Sequence, residues 1–308
     1  MTPKLKDYFP KTQDNGLGWP HVQLLVSEKH KILYRPIAKN ACSSLKRLMV
    51  SIADIKHGQL MIDADIHESI DNYRTGAKLG DLDIDYARQI MASAEYFKFV
   101  VVRDPFDRLV SAYLEKFVIN RKNRDNPRHT SSVIAAIQGL SAPDFDRGIS
   151  FADFVRHVTS QDPEQLDPHW KPQMLYLRDV DYDRIYRMDQ LDILRRDLEN
   201  RIGHTVTLPH RNRSHIGHPR YVPDSAYRLP GELTTPLRID KNSFMTSEIM
   251  LHIVNYFADD YRLYYSDDRN SPGPADSGST GHAVQAKRKS SFFLRNGLRS
   301  FLRNGWNR

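Results

Sequence analysis

Short apolar runs and helical patterns alternate along the first two thirds of the chain. Three runs, at 32–34, 99–102 and 185–186, are apolar at every position and predict short buried strands. A polar loop and an amphipathic helix follow each run, because apolar side chains recur there at spacings of three and four residues. These positions are Leu45, Leu48, Met49 and Ile52 after the first run, Leu109, Val110, Tyr113 and Phe117 after the second, and Leu191, Leu194 and Leu198 after the third. The pattern predicts an α/β fold with a central parallel sheet and flanking helices, in which ligands bind at the carboxyl ends of the strands.

The last forty residues differ from the rest of the chain in composition. A helical pattern over 245–265 predicts a closing helix, so that residues 1–266 form one folded domain. Residues 267–286 are rich in Pro, Gly, Ser and Asp and predict a flexible linker. In the basic tail, 287–308, the unit Phe-Leu-Arg-Asn-Gly occurs twice, which suits either an amphipathic helix on an anionic membrane or partner, or a disordered solubilising segment.

Composition and charge exclude several classes of protein. The chain has 308 residues, of which 40% are hydrophobic and 27% charged, as in globular proteins. Its net charge of +7 equals the seven bases of 277–308, so the remainder is balanced and a nucleic-acid partner is not expected. We expect no membrane span and no secretory signal, because no apolar stretch approaches the ~18–20 residues that a span needs. With the single cysteine Cys42, this predicts a cytoplasmic protein, with contact at the inner membrane surface through the tail.

The loop between the first predicted strand and its helix has the composition of an anion site. Small residues allow a close approach of the backbone, and the first N–H groups of the helix point at the bound anion. Ser43 and Ser44 add hydroxyl donors, and Lys39 adds a positive charge. The G-x-x-x-x-G-K-[ST] motif is absent, which argues against a standard nucleoside triphosphatase. The alternative is a serine that caps an ordinary helix.

The loop after the second predicted strand carries a second candidate anion site. Arg103 follows the strand directly, and its guanidinium can hold a phosphate through two hydrogen bonds. Ser111 lies one to two turns into the next helix and can add a hydroxyl. The alternative is an ion pair between Arg103 and Asp107, with Ser111 in the core.

Together, Lys-x-x-x-Ser-Ser at 39–44 and Val-Arg-Asp-Pro-Phe-x-Arg-Leu-x-Ser-Ala-Tyr at 102–113 resemble the carbohydrate sulfotransferases. The group that they resemble most is the chondroitin and dermatan 4-sulfotransferase type. The resemblance implies a sulfotransferase fold similar to that of P-loop nucleotide kinases, and 3′-phosphoadenosine 5′-phosphosulfate (PAPS) as co-substrate. It implies that Arg103 and Ser111 hold the 3′-phosphate. It also implies that the 5′-phosphosulfate is held by Lys39, Asn40, Ala41, Cys42, Ser43 and Ser44.

The resemblance extends over residues 30–265 and includes His169-Trp170-Lys171-Pro172-Gln173. One departure is Ala38, which stands where the family has proline. The membrane anchor and paired cysteines of the eukaryotic enzymes have no counterpart, so we expect a soluble, bacterial relative. Its implied reaction is transfer of a sulfuryl group to a hydroxyl of a carbohydrate or polysaccharide acceptor.

This reaction needs charge stabilisation and a base for the hydroxyl proton. Lys39 is the candidate to neutralise the leaving oxygen, and the resemblance favours His67 as base. Glu68 is an alternative, and His169 is the next candidate beyond that segment. We expect no metal, because the histidines are scattered. Four more cations flank the loops and are expected to be solvated or ion-paired at the surface: Arg35, Lys46, Arg47 and Arg108.

Two other functions stay open on sequence alone. A nucleotide-dependent kinase could use a similar sheet, although the Walker motif and an obvious magnesium carboxylate are missing. A protein that binds a nucleotide without turnover, or a membrane adaptor that acts through the tail, is the other alternative.

Overall fold

A four-stranded sheet organises the protein. The computed structural model describes residues 4–122, 127–208, 219–234 and 236–266. The strands, in spatial order, are β1 (Leu25–Ser27), β2 (Ile32–Arg35), β3 (Phe97–Val102) and β4 (Arg184–Arg187). β1 is antiparallel to β2, whereas β2, β3 and β4 run parallel, with Ile32 opposite Phe97 and Phe99 opposite Arg184.

Helices connect the parallel strands and cover the sheet. Among the described residues they are α1 (Cys42–Ile52), α2 (Gly58–Asp63), α3 (Ile66–Asn72), α4 (Ile84–Ala92), α5 (Pro105–Tyr113), α6 (Pro127–Gln138), α7 (Phe151–Thr159), α8 (Leu191–Ile202), α9 (Ser247–Tyr256) and α10 (Ala258–Tyr265). A π-helical segment, Leu114–Ile119, continues α5. None of the described helices is long and apolar enough to cross a membrane.

Strand β3 is buried on both faces, as expected for a central parallel strand. Phe99 and Val101 pack with the apolar side chains of α1 and α8, whereas Val100 and Val102 pack on the opposite face with Tyr176. A second large core joins α5, α7 and α9 around aromatic side chains. The carboxyl ends of β2 and β3 therefore lie side by side on a rigid support.

The predicted α/β class is confirmed, as are the three predicted strands and the helix after each of them. The antiparallel strand β1 was not predicted, because three residues carry too little periodicity. The closing helix predicted over 245–265 is wrong in one respect: α9 ends at Tyr256 and α10 begins at Ala258. The chain bends at Phe257, whose backbone leaves the helical region while its ring is buried. The predictions for the linker and the tail concern 267–308, which lie outside the described residues, so the domain limits stay predictions.

Candidate active site

A cavity of about 1070 Å³ lies at the carboxyl ends of β2 and β3. Its volume is slightly above the range of about 300–1,000 Å³ that is usual for small-molecule sites, which leaves room for a nucleotide and part of a second substrate. The structure brings to it eight of the nine residues proposed from the sequence: Lys39, Ala41, Cys42, Ser43, Ser44, His67, Arg103 and Ser111.

The loop after β2 has an unusual backbone. Lys39 and Ala41 adopt left-handed conformations, with φ of 71° and 56°, which cost roughly 1–3 kcal/mol each and are typical of functional sites. Ala41 precedes α1, and no side chain caps this helix. Because residues 41–46 line the cavity, the uncapped N–H groups at the start of α1 are available to an anion there.

Asn40 is the proposed ligand that the structure does not bring to the cavity with its side chain. Its Nδ2 donates to the carbonyl oxygen of Val101 at 2.9 Å and to Oε1 of Gln173 at 2.6 Å, and the residue is fully buried. Its backbone N–H donates to the carbonyl oxygen of Ile37. In this structure Asn40 therefore ties the loop to β3.

Arg103 joins the two loops. Its Nη1 donates to the carbonyl oxygen of Lys39 at 3.1 Å, so the guanidinium lies across the base of the first loop. Its backbone N–H donates to Oε1 of Gln173 at 2.9 Å, and its carbonyl oxygen accepts from Gln173 Nε2 at 2.8 Å. Asp260 in turn accepts from the backbone N–H of Gln173 at 2.7 Å. Burial lowers the pKa of Arg103, but a guanidinium stays charged in proteins.

Arg35 is not the surface group that the sequence suggested, because it is fully buried, and neither is Arg108, of which only 1% is exposed. Nε of Arg108 donates to the carbonyl oxygen of Ala38 at 3.0 Å, next to Lys39. Its two Nη atoms donate to the carbonyl oxygens of Lys171 at 2.7 Å and Pro168 at 3.0 Å. This single side chain fixes the first loop relative to the turn at 167–171.

The Lys39 ammonium is paired with a carboxylate. Its Nζ donates to Oε2 of Glu115, in the π-helical segment, at 2.5 Å. Burial lowers the pKa of Lys39, and Glu115 opposes that shift. Burial alone would raise the pKa of Glu115, but the neighbouring ammonium outweighs it and lowers this pKa to about 2. The Glu115 carboxylate is therefore charged at neutral pH and stabilises the charged form of Lys39.

His67 lies in the first turn of α3, where Asp65 accepts hydrogen bonds from the backbone N–H groups of His67 and Glu68. Both of its ring nitrogens have partners: Nε2 is 2.7 Å from Oγ of Ser43, and Nδ1 is 3.3 Å from Nζ of Lys46. Burial and then the Lys46 charge lower the pKa of His67 to about 4. Glu68 is exposed and does not line the cavity.

A second histidine in the cavity, His169, belongs to a cluster with Asp167 and His129. Nδ1 of His169 is 2.7 Å from Oδ1 of Asp167, and Nδ1 of His129 is 2.6 Å from Oδ2. Burial would raise the pKa of Asp167, but the hydrogen bonds and charges of the two imidazoles lower it to about 2. Such a group can hold a metal ion, although the contacts here are hydrogen-bond distances. The expectation of no metal stays a prediction.

Sequence reasoning missed two side chains that shape this site, Glu115 and Asp167, which contact Lys39 and His169. It named a third, Lys46, but placed it at the surface, whereas the residue is only 7% exposed and its ammonium contacts His67. One signal was present for Asp167. The order Asp-Pro-His is typical of a turn in which the Asp side chain accepts from the backbone two residues on, as Oδ1 does from His169 at 2.9 Å.

Comparison with known proteins gives a consistent result. A sequence model of the sulfotransferase family matches residues 22–266. Carbohydrate sulfotransferase 14 of Mus musculus is 31% identical over 150 residues, which are 48% of this chain and 38% of that protein. Carbohydrate sulfotransferase 12 of the same species is 28% identical over 193 residues, 55% of this chain and 45% of that protein. Carbohydrate sulfotransferase 10 of Xenopus laevis is 28% identical over 192 residues, which are 60% of this chain and 50% of that protein.

No solved structure matches the chain. The chain spans less than half the length of the first relatives, so their full activities do not transfer to it directly. The resemblance to carbohydrate sulfotransferases is nevertheless confirmed, and the family model covers most of the sequence. The protein belongs to the sulfotransferase family.

Proposed function

We propose that this protein transfers the sulfuryl group of PAPS to a hydroxyl of a carbohydrate acceptor. The observation that carries the proposal is the meeting of the two loops, where Arg103 donates to the carbonyl oxygen of Lys39 and both side chains line one cavity. The similarity to relatives that are named carbohydrate sulfotransferases supports the same reaction and the acceptor class.

The residues of the cavity fit the two anionic ends of this co-substrate. Lys39, the hydroxyl of Ser43 and the uncapped start of α1 suit the 5′-phosphosulfate. Arg103 and Ser111 suit the 3′-phosphate, because a guanidinium offers several donors and only one contacts the Lys39 carbonyl oxygen. When bound, PAPS supplies an activated sulfuryl group. The role of Lys39 is to place an ammonium where negative charge develops on the leaving oxygen.

Ligand binding to the wild-type chain separates this proposal from its alternatives. Isothermal titration should give the tightest binding for adenosine 3′,5′-bisphosphate, weaker binding for 5′-AMP, and no gain for ATP on addition of magnesium. Magnesium-dependent binding of ATP above that of the bisphosphate would favour the kinase. Bisphosphate binding without any sulfuryl transfer would favour a non-catalytic binding protein.

Arg103→Ala and Ser111→Ala should each weaken binding of adenosine 3′,5′-bisphosphate by about 10–150-fold, since a hydrogen bond to a charged group contributes roughly 1.5–3 kcal/mol. Binding of 5′-AMP, which has no 3′-phosphate, should change much less. Titration of both variants with both ligands measures the difference. Equal losses for the two ligands would place these side chains away from the 3′-phosphate.

We also infer a contact of the tail with anionic membranes, which would bring the protein to the inner membrane surface. The support is the concentration of seven bases and the repeated Phe-Leu-Arg-Asn-Gly unit in 277–308. A chain that ends at residue 266 should keep its transferase activity but no longer float with anionic vesicles. For the full chain, flotation should weaken as salt shortens the screening length from ~10 to ~8 Å and below. Full-length protein that does not float with anionic vesicles would support the alternative, in which the tail is a disordered solubilising segment.

A further inference from the structure

The two ring nitrogens of His67 already have defined partners. The Lys46 ammonium can only donate, so Nδ1 of His67, 3.3 Å away, must accept. In the neutral ring the proton then lies on Nε2, which donates to Oγ of Ser43 at 2.7 Å. Neither nitrogen of His67 keeps a lone pair for the proton of an acceptor hydroxyl. The contact instead orients a hydroxyl of the first loop.

His169 has the opposite arrangement. The ionised Asp167 carboxylate can only accept, so Nδ1 of His169 carries the proton that points to it at 2.7 Å. Nε2 is then the unprotonated nitrogen, and it has no hydrogen-bond partner within the described residues. The side chain is 21% exposed and lines the cavity. A carboxylate that fixes the tautomer of an imidazole is the arrangement that makes histidine an effective base.

His129 shares the same carboxylate but cannot play this part. Its Nδ1 is 2.6 Å from Oδ2 of Asp167, and its Nε2 accepts from Nε of Arg128 at 3.0 Å. Its ring stands edge-on to that of His169, with the centroids 4.7 Å apart. It therefore holds the second oxygen of Asp167 and limits the movement of the ring beside it.

The turn that carries His169 is fixed relative to the first loop. Arg108 donates to the carbonyl oxygens on both sides of His169, at Pro168 and Lys171, and also to that of Ala38. The next residue, Trp170, is buried against the rings of Phe117 and Phe154. His169 is thus held at a set position relative to Lys39, as a group that acts on the reacting atoms requires.

We propose that His169, oriented by Asp167, is the general base of the transfer, and that His67 is a positioning residue for Ser43. The inference rests on the proposed function. In the step, the acceptor oxygen forms a bond to sulfur while the bond from sulfur to the phosphate oxygen breaks. The hydroxyl proton passes to Nε2 of His169, adenosine 3′,5′-bisphosphate leaves with its charge next to Lys39, and the imidazolium later releases the proton to water.

Burial favours the neutral form of the His169 ring. Burial lowers the pKa of His169 below its usual value, and the hydrogen bond to Asp167 partly opposes this. Because the folded pKa is lowered, the base form is lost only as the pH falls below about 6.5. The groups that face the ring from the packed elements are Asp167, His129, Lys116, Glu115 and His67.

Matched glutamine variants test the assignment, because an amide can replace the hydrogen bonds of a neutral imidazole but cannot take a proton. His169→Gln should lower kcat/KM for transfer of ³⁵S-sulfate to polysaccharide by about 10²–10⁴-fold. Its affinity for adenosine 3′,5′-bisphosphate should stay within about twofold of wild type. His67→Gln offers a donor to Ser43 and an acceptor to Lys46, so it should lose no more than about tenfold. His252→Gln in α9, outside the cavity, is the control and should match wild type.

Two further measurements report on the chemistry of the ring. Long-range ¹H–¹⁵N NMR at pH 7 should show the Nδ1–H tautomer for His169 and the Nε2–H tautomer for His67. Asp167→Asn removes a carboxylate that raises the pKa of His169, so the pKa of the ring and the acid limb of kcat/KM should both move to lower pH.

Three results would overturn the inference: normal transfer by His169→Gln, loss of transfer by His67→Gln at a base-like magnitude, or the Nε2–H tautomer at His169. Activity that is abolished by a chelator and restored by zinc would also overturn it, in favour of a metal at the cluster. Wild-type protein that transfers no sulfate at all would contradict the proposed function itself. If wild type transfers sulfate and His169→Gln is equally active, only the assignment of the base is contradicted.

Discussion

Lys39→Ala is expected to lower turnover by about 10²–10³-fold, since one charge-stabilising contact at a reacting centre has typically this effect on the rate. The ammonium lies in the cavity, and its present partner is the Glu115 carboxylate at 2.5 Å. Steady-state transfer of ³⁵S-sulfate measures the loss, and circular dichroism should show an unchanged fold. A variant within a few-fold of wild type would mean that Lys39 does not meet the leaving oxygen.

The loss of Lys39 also leaves Glu115 without its cation, so a control must separate the two effects. The double variant Lys39→Ala/Glu115→Gln removes both charges and should stay as slow as Lys39→Ala. Glu115→Gln alone keeps the ammonium and removes a carboxylate that competes for it, so it should bind adenosine 3′,5′-bisphosphate at least as tightly as wild type. Recovery of activity in the double variant would show that repulsion by Glu115, not loss of Lys39, causes the defect.

Arg108→Met should destabilise the protein more than any surface substitution. It would leave the carbonyl oxygens of Ala38, Pro168 and Lys171 without their donor, and each buried group left unpaired costs about 1–3 kcal/mol. Allowing for partial relaxation, we expect a loss of about 3–5 kcal/mol, which lowers Tm by roughly 6–20 °C in a domain of this size. Differential scanning calorimetry measures it.

One variant shows whether the geometry of Arg108 matters or only its charge, and a second is a surface control. Arg108→Lys keeps the charge but not the planar set of donors, so its loss should lie between wild type and Arg108→Met. Arg156→Met removes an exposed arginine that pairs with Glu248 at 2.7 Å and should change stability by no more than ~1 kcal/mol. Equal stability of all three variants would contradict the bracing role of Arg108.

The elements that carry the loops were predictable because periodicity reports burial. Phe99 to Val102 are apolar on both sides of a parallel strand, and Leu45, Leu48 and Met49 share one face of α1, so their burial follows from spacing alone. Residues that follow such strands can be assigned to one end of the sheet. For this reason Lys39 and Arg103, 64 positions apart in the chain, could be predicted to share a site.

The hydrogen-bond partners of the site's side chains could not be predicted in the same way. Nothing in the sequence around Arg108 distinguishes a buried cation that binds three carbonyl oxygens from a solvated one, because its acceptors are backbone atoms of distant loops. The same applies to His67, whose ring nitrogens are engaged by Ser43 and Lys46 of α1. The residue type and the sequence position of His67 suggested a base. Its tautomer, however, depends on contacts that only the fold creates.

The central claim is that this chain moves a sulfuryl group from PAPS to a carbohydrate hydroxyl. Incubation of the wild-type protein with ³⁵S-labelled PAPS and a panel of desulfated glycosaminoglycans and bacterial polysaccharides tests it most directly. The account predicts label in at least one polysaccharide, formed together with an equal amount of adenosine 3′,5′-bisphosphate, and about 10²–10³-fold less label with Lys39→Ala at the same enzyme concentration. Tight binding of the bisphosphate without label in any acceptor, or labelling that is equal with Lys39→Ala, would contradict it.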